Sequence, residues 1–311
     1  KLGLDKGFDG EVLRPLGGFL MLLQQLVNGL TLGTTYALIA LGYTMVYGII
    51  QLINFAHGEV YMIGAFVGLI MVAVYKVNFF LAMLVAMAVC VPLAVLIERV
   101  AYRPLRKSTR LAPLISALGV SIFLQTLVTL IKGSPNPLAF PQVIQDTVYV
   151  LGPVKFSTIQ VIILVVASLL MVFLQFIVKY TKVGKAMRAT SEDYETAGLM
   201  GINVNSIVSF TFALGAALAA AGGVLVGMYF NSVHPFMGVS VGLKSFCAAV
   251  VGGIGSIPGA MLGGIFIGIV EVLGVAAGFD TYKEAIAFGL LILVLLFRPT
   301  GLLGLPIQRK V

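Results

Sequence analysis

Nine stretches of nearly uncharged apolar sequence, at roughly 19–50, 58–75, 79–97, 111–131, 158–178, 206–228, 241–256, 258–278 and 284–298, make up most of this chain. A hydrocarbon core about 30 Å thick is crossed by about 20 helical residues, so most of these runs have the length of a membrane span. Charged residues are 10% of the sequence, whereas a soluble domain carries about 25%. The chain reads as an all-α polytopic membrane protein, a helical bundle of about eight to nine spans, some of them broken or short.

Two of the runs are irregular. The first would extend about 48 Å as one helix, which calls for tilt, a bend or an interfacial turn near Asn28, Gly29 and Thr31. The run at 241–256 is short, carries Lys244 and ends in GGIGSIPG, the pattern of a thin span or a half-helix.

The net charge of +8 is concentrated beside apolar spans, in Arg99, Arg103, Arg106, Lys107 and Arg110 and again in Lys179, Lys182, Lys185 and Arg188. Membrane topology explains this placement better than nucleic-acid binding does. With both clusters in the cytoplasm, Arg298, Arg309, Lys310 and the C-terminus fall there too, and residues 132–157 fall outside. Within that outer loop Pro135, Pro137, Pro141 and Pro153 bracket VIQDTVYV, a run suited to an extended or hairpin-like segment. Residues 1–17 read as a polar N-terminal extension without the apolar core of a signal peptide, and 18–311 as one transmembrane domain. Simple counting places the N-terminus outside; an extra turn within 19–50 would place it inside.

Little in the sequence suggests bond-making chemistry. Cys90 and Cys247 sit far apart in apolar runs, without the spacing of a disulfide framework or a metal site. The two histidines lack a nucleophile or metal constellation around them, so an enzyme is disfavoured and no metal is expected. The polar residues inside apolar surroundings are more informative. Asn54, His57 and Glu59, in INFAHGEVY, form the densest polar cluster between two spans and are the candidates for a translocation pathway. They also admit a structural reading, with Asn54 capping the next helix and Glu59 near its positive end. Lys244 and Glu271 could pair across the 241–278 hairpin, or Lys244 could snorkel to the outer face. Glu98 and Arg99 suit an interfacial anchor.

Small residues recur at four-residue spacing at Gly215, Ala219, Gly223 and Gly227, at Gly259 and Gly263, and at Gly264 and Gly268. Such faces let helices approach closely in lipid, where the hydrophobic effect does not drive them together. Packing inside the bundle is their expected use.

The longest polar stretch, KYTKVGKAMRATSEDYETAGLMGIN from Lys179 to Asn203, is basic in its first half and acidic in the middle. Retention of the loop in the cytoplasm explains the basic half and not Glu192, Asp193 and Glu195. The helix-compatible run from Gly184 to Gly201 therefore reads as a coupling loop, 179–204, with Arg188, Glu192, Glu195, Ala197 and Gly201 as the residues that engage a partner. Glu195, Ala197 and Gly201 are similar in spacing to the Glu-Ala-Ala-x-x-x-Gly loop by which permease subunits of ABC importers meet their ATPases, with Thr196 in place of the second alanine.

The likeness extends along the chain. Residues 28–68, NGLTLGTTYALIALGYTMVYGIIQLINFAHGEVYMIGAFVG, closely resemble the opening of LivH-type permeases of bacterial branched-chain amino-acid ABC transporters. IERVAYRPLR at 97–106, LISALGVSIFLQ at 114–125, the loop at 184–204 and AAVVGGIGSIPGAMLGG at 248–264 resemble that family in order and spacing. The resemblance covers about residue 20 to the C-terminus and leaves out the first 17.

It implies an ABC-importer permease of type II-like architecture in the bacterial inner membrane. It also implies a second permease subunit of LivM type, two cytoplasmic ATPase subunits and an extracytoplasmic binding protein delivering leucine, isoleucine or valine. The residues agree on one point: no GxxxxGK[ST] phosphate loop occurs, so ATP and Mg would be used by the partner subunits and no cofactor by this chain. The rival class is an autonomous ion-coupled carrier, which would be expected to place carboxylates at the membrane midplane.

Overall fold

The computed structural model describes residues 13–304 apart from Lys107, Arg110 and Pro153, with side chains from Met21 onward. The first twelve residues of the N-terminal extension lie outside the described residues, as do Arg309 and Lys310.

Among the described residues the apolar sequence becomes nine helices: α1 (Leu13–Ile50), α2 (His57–Ala73), α3 (Phe79–Ile97), α4 (Leu111–Lys132), α5 (Thr158–Tyr180), α8 (Val204–Tyr229), α9 (Met237–Gly252), α10 (Ile257–Ala276) and α11 (Lys283–Phe297). The polar loop supplies α6 (Lys182–Glu192) and α7 (Tyr194–Leu199). Among the described residues six of the apolar helices are long and apolar enough to cross a membrane. By contrast α2, α9 and α11, with 17, 16 and 15 residues, reach about 22–26 Å at 1.5 Å per residue and fall short of a 30 Å core.

Of the tilt, bend or interfacial turn expected of the first run, the interfacial turn is absent. α1 is continuous through Asn28, Gly29 and Thr31, because these residues are used for contact. A methyl on Gly29 would lie 2.7 Å from Ile269 Cα and one on Gly33 2.6 Å from Ile265 Cα, while Gly264 and Gly268 of α10 meet Ala37 and Gly33 in return. The stripe Gly29, Gly33, Ala37 thus lies on α10 backbone to backbone, which compensates in lipid for the missing hydrophobic drive.

α1 and α8 form the centre and are mostly buried, whereas α4 and α5 are mostly exposed. Along α8, Gly215 faces Gly42 and His57, Gly223 faces Tyr61 and Ala65, and Gly227 faces Phe140 and Val233, while Ala219 is fully buried. Gly259 and Gly263 seat α10 on Gly252 and Ala248 of α9.

Strands are confined to the segments beyond the helices. β2 (Val148–Leu151) and β3 (Val154–Ser157) make a hairpin inside the proline-bracketed loop, and β1 (Leu138–Ala139) pairs with β4 (Ser232–Val233). The second pairing joins stretches nearly a hundred residues apart and left no sign in the local sequence. Gln24 of α1 exchanges two hydrogen bonds with the Lys155 backbone, at 3.0 and 2.8 Å, which puts the hairpin at one end of the bundle. At the other end, which carries the basic clusters, Gly48 meets Gly255 and residues 301–304 pack on Gly253.

Candidate functional site

Between α1 and α2 the chain leaves helical geometry at Gln51, φ +53°, and resumes it only at His57. The His57 ring occupies the space a side chain at Gly42 would need, where a methyl would fall 2.1 Å from Nε2, and it also meets Gly215, which packs against Gly42. Gly42 lies eight residues before the end of α1 and Gly215 eleven after the start of α8. At 1.5 Å per residue these positions are about 12 and 16 Å in from the basic end, so α2 begins inside the bundle. A helix that starts at depth directs its partial positive charge into the protein, an arrangement transporters use at binding sites.

The three candidate pathway residues are all buried at this helix start, and each has a different surrounding. Asn54 does not cap α2. The N-cap position is Ala56, with no side-chain cap, and Asn54 Oδ1 instead accepts from the Tyr102 hydroxyl at 3.0 Å. His57 stacks edge-on against Tyr43, centroids 4.9 Å apart, and its Nε2 has no hydrogen-bond partner. Glu59 sits in the first turn of α2, and its Oε1 accepts from Ser121 Oγ at 3.0 Å and Gln125 Nε2 at 2.8 Å, both on α4. Its Oε2 is buried without a partner, close to Gly238. Sequence reasoning missed Ser121, Gln125 and Tyr102. The signal for the first two was their spacing, two polar residues four apart on one face of a largely apolar span.

Two further buried carboxylates are neutralised. Lys244 Nζ lies 2.6 Å from Glu271 Oε1, and the Tyr36 hydroxyl donates to Oε2 at 3.0 Å, so the ion pair joins α9, α10 and α1. Lys244 is buried and does not snorkel. Glu98, fully buried in a π-turn that extends α3 over Glu98–Tyr102, pairs with Arg103 and Arg106 and accepts from Ser209 Oγ at 2.7 Å. It is an internal tie between the end of α3 and the start of α8.

The coupling residues occupy the basic end and do not form one helix. Asp193 adopts extended geometry, φ −151° and ψ 111°, and separates α6 from α7, which its carboxylate caps through the N–H groups of Glu195 and Thr196. α6 is seated on the bundle by Gly184, Met187 and Thr190. Arg188 bonds the Val178 and Lys179 carbonyls at the end of α5, so its role in the structure is that of a C-terminal cap. Glu192 and Glu195 are exposed and Ala197 is buried. Gly201 takes φ +84° and closes α7 by donating to Gly198 O. The residues the sequence did not single out here are Leu199 and Met200, 88% and 78% exposed at the end of α7. At the junction of α6 and α7 a cleft of about 960 Å³ runs between Gln51, Arg103, Arg106, Thr190, Asp193 and Glu195.

A bundle of apolar helices, one of which begins in its interior, with a polar helical pair on one end, defines a multi-pass membrane permease. Residues 25–295 match the family described as branched-chain amino acid transport system / permease component, and the chain belongs to it. The permease protein BraD of Pseudomonas aeruginosa, of a high-affinity branched-chain amino acid transport system, is 51% identical over 93% of this chain and 98% of its own length. LivH of Escherichia coli K12, named for the same kind of system, is 48% identical over 94% and 99%. Among solved structures, a chain of PsaBC from Streptococcus pneumoniae in complex with Fab aligns at a TM-score of 0.48 and 16% identity over 93% of this chain and 96% of that one.

Proposed function

We infer that the chain forms the translocation pathway of an ATP-driven importer for branched-chain amino acids. A second permease chain of LivM type, two cytoplasmic ATPases using ATP and Mg, and an extracytoplasmic binding protein complete the machine. Membership in the permease family along nearly the whole chain carries this reading. The absence of any phosphate loop supports the assignment of ATP hydrolysis to a partner.

In this reading the basic end faces the cytoplasm together with the C-terminus, as the positive-inside rule requires, and the protein resides in a bacterial inner membrane. The exposed Glu192, Glu195, Leu199 and Met200 present a mixed acidic and apolar surface to the ATPase, with Ala197 and Gly201 setting the shape of α7. The hairpin in 132–157 receives the binding protein. The α2 start, with Asn54, His57 and Glu59, borders the path. An apolar substrate side chain asks for few polar groups in that path, and affinity resides chiefly in the binding protein.

Purification of the chain with its partner subunits tests this. ATP hydrolysis by the assembled complex is expected to rise when binding protein loaded with leucine is added. Equal hydrolysis with loaded and with empty binding protein would count against the assignment.

A further inference from the structure

Among the described residues three carboxylates are buried: Glu59, Glu98 and Glu271. Glu98 holds two arginines and Glu271 holds Lys244 and the Tyr36 hydroxyl, so both are electrically satisfied. Glu59 differs from them. It has no cationic partner, its Oε1 receives only the neutral donors Ser121 and Gln125, and its Oε2 has no partner at all. A carboxylate at membrane depth is expensive and is normally matched by a cation. Oε2 is therefore a buried acceptor that no protein group engages, suited to a donor that arrives and leaves.

A branched-chain amino acid brings such a donor. Its side chain crosses an apolar path easily, but its ammonium and carboxylate groups lose hydration together, and a single fixed carboxylate at the level of the ammonium offsets part of that cost. We propose that Glu59 Oε2 is the point in the pathway that receives the ammonium group of the passing amino acid; this rests on the import function inferred above. The covering elements suit a transient site. α4 is the least buried of the long apolar helices and is tied to the carboxyl group through Ser121 and Gln125. On the other side the cover is Gly238, the second residue of the short helix α9. Displacement of either element exposes Oε2 without unfolding α2. The helix start adds the complementary charge, its positive end favouring the substrate carboxylate nearby.

The test is the ratio of amino acid imported to ATP hydrolysed, measured with labelled leucine in vesicles holding the complete importer and its binding protein. Glu59→Gln keeps the shape and the acceptor for Ser121 and Gln125 but removes the charge. The expected result is a ratio at least tenfold below wild type, with Glu59→Asp intermediate because it retains a carboxylate. A merely structural Glu59 would lower import and stimulated hydrolysis in parallel and leave the ratio of both variants unchanged. That result, or a wild-type ratio with normal import, overturns the proposal. Failure of the wild-type complex to import leucine would instead overturn the function on which it rests.

Discussion

Lys244 and Glu271 meet at 2.6 Å, both buried, across two helices that a four-residue turn joins at the opposite end. The pair is costly to desolvate and costly to break, and those two costs predict different outcomes for single and double substitutions. Glu271→Gln leaves a buried ammonium with only neutral acceptors and should destabilise the protein by about 3–5 kcal/mol. Lys244→Met with Glu271→Leu removes both charges and should recover most of that loss. Thermal unfolding of the detergent-solubilised protein distinguishes them; a double variant as unstable as the single one would show that the charges themselves are required.

Backbone contact between α1 and α10 gives a second prediction. A methyl on Gly268 would stand 2.3 Å from Gly33 Cα, and backbone cannot swing aside as a side chain can. Gly268→Ala should cost about 1–3 kcal/mol by forcing the helices apart. Gly289→Ala on α11 and Gly119→Ala on α4 meet nothing within 4 Å and should be neutral or stabilising by up to about 1 kcal/mol, from helix propensity alone. Equal loss at Gly268 and Gly289 in the same melting assay would rule out the contact as the cause.

The docking surface at α7 is testable apart from its fold. Leu199 is almost fully exposed, so Leu199→Glu should leave folding intact while lowering ATPase copurification at least tenfold. Gly201 needs separate treatment. Its φ of +84° penalises any side chain by about 1–2 kcal/mol, least for Asn, so Gly201→Asn should couple better than Gly201→Ala if the turn rather than the bare surface matters. Retained copurification with Leu199→Glu would remove α7 from the interface.

At the basic end, the Glu98 cluster ties α3 to α8 through Arg103, Arg106 and Ser209. Glu98→Gln strands two guanidinium groups. Ser209→Ala removes one neutral donor. The first should lower the unfolding temperature by several degrees more than the second; equal shifts would indicate that the ion pairs contribute little.

Span positions, the basic end, the small-residue faces and the Lys244–Glu271 pair were legible because each follows from local hydropathy, charge or spacing. The continuity of α1 was not. Thirty-two apolar residues exceed one straight crossing, and only the partner stripe on α10 shows that Gly29 and Gly33 serve helix contact and not an interfacial turn. The break at Asp193 was hidden for a related reason: the residues on both sides favour helix, and the carboxylate that caps α7 acts through backbone geometry. Asn54 looked like a cap because of its position before a helix, yet its acceptor is taken by Tyr102 from another element. That Glu59 bonds α4 depends on tertiary placement, which is why Ser121 and Gln125 were not singled out.

The most direct test of the account is uptake of labelled leucine by sealed vesicles containing this chain with its partner permease and ATPase subunits. It predicts accumulation against a gradient only when ATP, Mg and loaded binding protein are all supplied on their proper sides, and none when the ATPases are left out. Uptake by the permease chains alone, driven by a proton or sodium gradient and indifferent to ATP, would contradict it and favour an ion-coupled carrier.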